Sequence, residues 1–242
     1  MQWPEVTMLI ITFKRPDETR AVIRALEKHV YYPNLKWIIC DDSSGKEYQN
    51  ALRVDYPHIK IVSTKENSGW GANVNNGLHH VTSPYVFAIE NDYLLTQHLD
   101  LRIGVALMQT NDAIGRIRYD GIVGHPLLGH LSESDIHQYM PEYRQGLALP
   151  GKLSYWLIDR ASPTLWIYSN RPSLSHIRFW KFYGNYPEGL RLGATEESYA
   201  HMVRDKMGDV GAPAIAVLPE WVVRWYDDIG VSFQHTEADR GQ

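Results

Sequence analysis

The sequence predicts an α/β fold with a mainly parallel central sheet flanked by helices, and three observations lead there. Short apolar runs of strand length alternate with segments of helix length through the first hundred residues. Acidic or glycine-rich words follow those runs at equivalent places, so each strand delivers polar residues to one edge, where ligands of such sheets bind. The 242 residues are 44% hydrophobic and 21% charged, and a chain of this size hides roughly three quarters of its unfolded surface in one core.

The elements follow in order. VTMLIITF (6–13) is a β-branched run suited to a buried strand. Pro16, Asp17 and Glu18 then mark a helix start, and Val22, Ile23, Leu26 and Val30 fall on one face of that helix. LKWIIC (35–40), HIKIVS (58–63) and YVFAIE (85–90) supply three further strands, with room for helices around 45–54 and 70–80. Strands alternating with helices imply a parallel sheet covered on both faces.

The second half is less regular. A helix is expected from Leu99 to Leu107, a strand region over 113–124, a loop-rich insertion over 125–152, and a helix from Thr195 on which Tyr199, Met202, Val203 and Met207 recur at helical spacing. Aromatic residues crowd 153–186, and the tail DDIGVSFQHTEADRGQ is polar. With no repeat, low-complexity tract or linker, residues 1–242 read as one domain whose region about 125–192 lies on the acceptor side of any site at the strand ends.

Composition limits the function classes. Twenty-four Lys and Arg against 28 Asp and Glu give a net charge of −4, which offers no global attraction to nucleic acid. Cys40 is the single cysteine, and the first residues lack the pattern of a secretory signal, so a reducing cytoplasm is expected, with any membrane contact peripheral. No apolar run approaches the ~20 residues that span a bilayer. No HExxH or Cys/His pattern suggests zinc.

Chemistry concentrates at the strand ends. Asp41 and Asp42 close the second strand, NSGWGANVNNG (67–77) follows the third, and Glu90, Asn91 and Asp92 close the fourth. Strand alternation sends Glu90 and Asp92 to one side, where two hard oxygen donors can hold Mg²⁺ or Mn²⁺ together with a substrate diphosphate. The plain alternative is that strands simply end where polar loops begin.

TMLIITFKRP, WIICDDSS, ENSGWGANVNNGL, YVFAIENDY and GATEESYAHMVRDKMG, in that order, resemble the successive signatures of family 2 glycosyltransferases of the GT-A type, a Rossmann-like fold. The resemblance covers roughly 6–95 and returns near 193–208. It implies an inverting enzyme that transfers a sugar from a nucleotide-sugar donor with the help of a divalent metal. Carried over by position, it implies that Thr12, Phe13, Asp41, Asp42, Asn67, Gly69, Asn75, Glu90 and Asn91 serve the donor. Asp92 is implied as the metal ligand, joined by His235, and Glu197 as the catalytic base. Glu196, beside that base, is expected on the acceptor side. Arg178 and Trp180, in the word RFWKFYGNYPEG before it, are expected on the acceptor side. Aromatic faces and cations suit sugar rings and phosphates, although such a stretch could equally be core.

The chain departs from that pattern at Val74, where an arginine is frequent, and at Glu90 and Glu197, where aspartate is usual. One diphosphate contact is therefore absent or supplied elsewhere. The acceptor is open among a glycan, a lipid-linked saccharide, a peptide, a small molecule and a modified nucleobase. One alternative is a degenerate relative that binds a sugar nucleotide or glycan without turnover. A nucleotidyltransferase would need a glycine-rich phosphate loop after the first strand, where this chain reads TFKRPDETR.

Overall fold

A computed structural model describes residues 2–95, 98–119, 126–132, 152–158, 167–191 and 193–218. Its elements are β1 (Val6–Thr12), α1 (Pro16–His29), β2 (Val30–Tyr31), β3 (Leu35–Asp41), α2 (Lys46–Asp55), β4 (Lys60–Ser63), α3 (Gly69–His79), β5 (Tyr85–Glu90), β6 (Leu99–Asp100), α4 (Leu101–Thr110), β7 (Ile114–Arg118), β8 (Pro126–Ser132), β9 (Lys152–Ile158), β10 (Ser173–His176), α5 (Arg178–Tyr183), α6 (Ala194–Lys206) and β11 (Ala214–Val217).

The main sheet of the described residues runs β4-β3-β1-β5-β10-β7-β11-β9-β8. β4, β3, β1 and β5 are parallel, β10 is antiparallel to both β5 and β7, and β11 returns parallel to β7. β1 is the hub, paired residue for residue with Leu35–Asp41 on one side and with Tyr85–Glu90 on the other. Parallel strands buried on both faces need continuous apolar runs, and all seven residues of β1 are buried.

Alternation along these strands sorts the core into two layers. Met8, Ile10, Ile39, Phe87 and Ile89 pack with α1, α2 and α4, whereas Leu9, Ile11, Ile38, Cys40, Val86 and Ala88 pack with α3, α5 and α6. α3 lies close against the sheet because Gly77 leaves room: a Cβ there would come within 2.9 Å of Cys40 Cβ and Leu9 Cδ1. The two-sided register fixes which polar residue leaves each strand end toward which helix layer.

The structure revises the expectations in several places. The region expected to be a loop-rich insertion over 125–152 begins with β8, and its last residue opens β9, the two pairing antiparallel from Pro126 with Ile158 to Ser132 with Lys152. The helix expected from Leu99 starts at Leu101, because Asp100 caps it by accepting the Arg102 N–H at 3.0 Å. RFWKFY forms a short helix, α5, that the sequence reading did not assign. Among the described residues no helix is long and apolar enough to cross a membrane.

Candidate active site

The candidate site lies where β1, β3 and β5 end. The adjacent aspartates part company there, because alternation turns them to opposite layers. Asp41 faces α2: it accepts from Ser44 N–H at 3.0 Å and Gln49 Nε2 at 2.9 Å, with the Ser44 hydroxyl and, at 3.4 Å, the Ser63 hydroxyl beside it. Asp42 faces α3, where it accepts from Thr64 Oγ1 at 2.8 Å and from the N–H groups of Ser68 and Gly69 at 2.9 Å each. Both are buried. A carboxylate has about four acceptor sites, so among the described residues Asp41 is filled and Asp42 retains one.

The turn after β1 is held from three sides. Lys14 and Arg15 both adopt left-handed φ, 55° and 56°, a conformation that costs about 1–2 kcal/mol for a residue with a Cβ. Ser44 Oγ accepts the Lys14 N–H at 2.6 Å, and Asn91 Nδ2 donates to Lys14 O at 3.3 Å and Thr19 Oγ1 at 3.0 Å. Thr12 is buried and its carbonyl accepts from Asp42 N–H and Asn73 Nδ2, while Phe13 is half-buried under the Lys14 ammonium. Asn91 thus points away from Glu90 and Asp92, and its amide N–H₂ secures this turn.

The glycine-rich word becomes the loop into α3 and its first two turns. Asn67 is exposed, and Gly69 opens the helix at φ 84° with its N–H on Asp42. Asn73, which the sequence reading passed over, bridges the ends of β1 and β3 by donating to Thr12 O and Cys40 O, each at 3.1 Å. Its signal was available: a polar side chain at a buried helical position two residues before Asn75. Asn75 does not face the strand ends; it binds Tyr186 and Glu188 in the loop between α5 and α6.

Carboxylates gather at the end of β5. The half-buried Glu90 carboxyl is pushed well above its ordinary range, first by burial and then by the charges of Asp92 and Glu196, while the nearby Trp70 indole works the other way. The neighbouring Tyr93 phenol is raised by burial and by the same carboxylates, with Arg171 opposing. Glu196, in the first turn of α6, accepts the Asn170 N–H at 2.8 Å. Mutually repelling oxygen donors form a set that fits a hard divalent cation. Among the described residues, however, no three His, Cys, Asp or Glu side chains already surround a common point.

Glu196 lies near enough for its charge to act on Glu90, as that of Asp92 does. Glu197, next to Glu196 in sequence, is exposed, its N–H bonded to Gly193 O at 3.2 Å and its carboxylate without a partner among the described residues. Arg178 and Trp180 do not join this group. β10 runs antiparallel, so the chain leaves it at the opposite edge of the sheet, where Arg178 binds Ile114 O at the start of β7. Trp180 is 6% exposed and donates its indole N–H to Tyr186 OH at 3.1 Å inside an aromatic core that includes Tyr168, Phe179, Tyr183 and Tyr199. Much of the aromatic stretch is therefore packing, with the buried Arg116 guanidinium 4.7 Å from the Tyr168 ring centroid. His235 lies outside the described residues.

Comparisons with known proteins bear on the family and the fold. Residues 7–169 match the family model described as Glycosyl transferase family 2. The chain is 29% identical over 147 residues to β-1,4 N-acetylgalactosaminyltransferase 1 of Rattus norvegicus, covering 60% of this chain and 24% of the relative. It is 32% identical over 91 residues to the Homo sapiens protein of that name, covering 38% of this chain and 16% of the relative. The chain thus spans a quarter or less of these curated relatives. Among solved structures, it resembles the mannosyltransferase PcManGT of Pyrobaculum calidifontis in complex with GDP-Man and Mn²⁺, with a TM-score of 0.58 at 16% identity over 91% of this chain and 56% of that one. It also resembles S. aureus TarS 1–349 in complex with UDP-GlcNAc, with a TM-score of 0.61 at 14% identity over 92% of this chain and 58% of that one. At such identities the likeness concerns the fold, which is that of GT-A glycosyltransferases.

Proposed function

Because this chain belongs to glycosyl transferase family 2, we propose that it transfers a sugar from a nucleotide-sugar donor to a hydroxyl acceptor with inversion at the anomeric carbon. The observation that carries the reading is the half-buried Glu90 carboxyl at the end of β5, raised by burial and by the charges of Asp92 and Glu196, beside the α3 start that Asp42 holds. Names among the relatives and neighbours support the substrate class: N-acetylgalactosaminyl transfer, GDP-Man with Mn²⁺, and UDP-GlcNAc.

The roles follow from position. Thr12, Phe13 and the open acceptor site of Asp42 border the place for the nucleoside, with Asp41, Asn91 and Asn73 fixing that border and Asn67 and Gly69 closing it from α3. Asp92, with Glu90 beside it, would hold a divalent cation, which when bound neutralises charge on the departing diphosphate. His235 is the proposed further ligand. Glu197 accepts the acceptor's hydroxyl proton as its oxygen bonds to the anomeric carbon and the carbon–oxygen bond to the diphosphate breaks. Exposure suits Glu197 for that task, since no described residue occupies its carboxylate, whereas Glu196 is engaged by Asn170. The acceptor is a hydroxyl compound of the classes named above, and the buried single thiol of Cys40 suits a cytoplasmic setting.

Hydrolysis of UDP-GlcNAc, UDP-GalNAc and GDP-Man with Mn²⁺ and no acceptor tests the reading. Slow release of nucleoside diphosphate from one donor, lost in Glu197→Gln while that donor still binds, is expected. Binding without any turnover would instead identify a degenerate relative.

A further inference from the structure

Two residues of α3 one turn apart, Gly71 and Asn75, meet the loop that leads into α6. Asn75 grips it with both ends of its amide: Nδ2 donates to Tyr186 O at 2.9 Å and to Glu188 Oε1 at 2.7 Å, and Oδ1 accepts the Tyr186 N–H at 3.0 Å. Gly71 supplies the clearance. A Cβ at that position would stand 2.2 Å from Pro187 O and 3.1 Å from Thr195 Cγ2, so any side chain there displaces backbone. Thr195 directly precedes Glu196 and Glu197.

The gripped loop is also tied to α6. The Tyr186 ring lies 4.3 Å from the Tyr199 ring and 4.9 Å, edge-on, from Trp70 on α3. Tyr199 OH donates to Gly184 O at 2.9 Å, and Tyr186 OH meets Tyr168 OH at 2.6 Å. α3, this loop and the first turns of α6 are therefore packed on one another, while Glu90 and Asp92 belong to β5 and its end.

We propose that Gly71 and Asn75 are positioning residues that seat the 184–191 loop on α3 and thereby aim the Glu196–Glu197 turn at the carboxylates on β5. This rests on the sugar-transfer reading for its catalytic consequence and on the contacts alone for its structural one. Asn75 was expected to bind donor; the seat makes it act through the loop instead. Misaligning a catalytic group by about 1 Å can cost two orders of magnitude in rate, whereas loss of a donor contact weakens donor binding.

The test uses Asn75→Asp, which removes both amide donors and sets a carboxylate against Glu188, together with Glu188→Ala at an exposed position that leaves folding undisturbed. The reversed pair N75D/E188K restores the tie. Hydrogen exchange of the whole protein should quicken over 184–199 in both single variants, remain unchanged over 85–92, and return toward wild type in the reversed pair. Hydrolysis of whichever of UDP-GlcNAc, UDP-GalNAc or GDP-Man the wild type accepts should fall at least tenfold in Asn75→Asp, with affinity for UDP or GDP within about twofold, the pattern expected of misaligned groups. Unchanged exchange over 184–199, or a loss confined to nucleotide affinity with turnover kept, overturns the proposal. If wild type turns over no donor, sugar transfer fails as a reading, and exchange alone still decides the seat.

Discussion

Asp42 accepts the Gly69 N–H at 2.9 Å and so fastens the end of β3 to the first residue of α3. With Ser68 N–H and the Thr64 hydroxyl on the same carboxylate, a residue expected to meet the nucleoside also caps the helix that borders the site. Site and scaffold are the same bond here.

Asp42→Ala should therefore destabilise the protein by about 1–3 kcal/mol, the usual cost of leaving buried partners unmade, and should weaken nucleotide affinity as well. Urea unfolding and calorimetric titration with UDP or GDP measure the two effects. A variant of unchanged stability would show that the α3 start does not depend on this carboxylate.

Glu90→Gln removes one charge from a crowded set. In EDTA the variant should melt at a higher temperature than wild type, because a carboxylate disfavoured first by burial and then by the charges of Asp92 and Glu196 gives way to a neutral amide. Added Mn²⁺ should raise the wild-type midpoint more than the variant's. Equal midpoints in EDTA would mean that the carboxylates do not feel one another.

The two glutamates of α6 should separate. Glu197→Gln is expected to cut turnover by about 10²–10⁴-fold, the range for a lost general base, with donor affinity kept. Glu196→Gln retains an acceptor for the Asn170 N–H and should cost less. The reverse ranking, read from single-turnover rates, would pass the base role to Glu196.

His176 supplies a pH effect distant from the chemistry. It accepts the Arg178 N–H at 3.1 Å, and burial, with Arg178 and Lys181 nearby, lowers its pKa from 6.5 to about 4. The folded protein thus binds fewer protons than the unfolded chain between those values. Stability contributed by the neutral ring is complete above pH 6.5 and is lost as pH falls toward 4. Melting followed across that window should show a shallower decline in His176→Gln; parallel curves would remove His176 as a cause.

Much of the site was legible because strand register is legible. Once WIICDD and FAIEND are placed as strand ends, alternation alone sends Asp42 to the α3 layer and Asp41 and Asn91 to the other, as the contacts record. Strand direction in the second half is not legible: nothing in RFWKFY tells that it follows an antiparallel strand, so Arg178 is expected at the edge opposite to the one it occupies. Trp180 and its aromatic neighbours have the composition of a sugar-binding wall and the burial of a core. Asn75 shows a third limit, since its partners Tyr186 and Glu188 lie more than a hundred residues away in sequence.

Whether the strand-end carboxylates and the α3 start form a nucleotide-sugar site is decided by the melting temperature of wild type and Asp92→Ala with UDP-GlcNAc, UDP-GalNAc and GDP-Man, each in Mn²⁺ and in EDTA. A ligand at 100 times its Kd stabilises by about 2.7 kcal/mol. A rise with one nucleotide that needs Mn²⁺ and is lost in Asp92→Ala is expected. No rise with any donor, or a rise of equal size in the variant and in EDTA, would rule out a metal-assisted donor site at these residues.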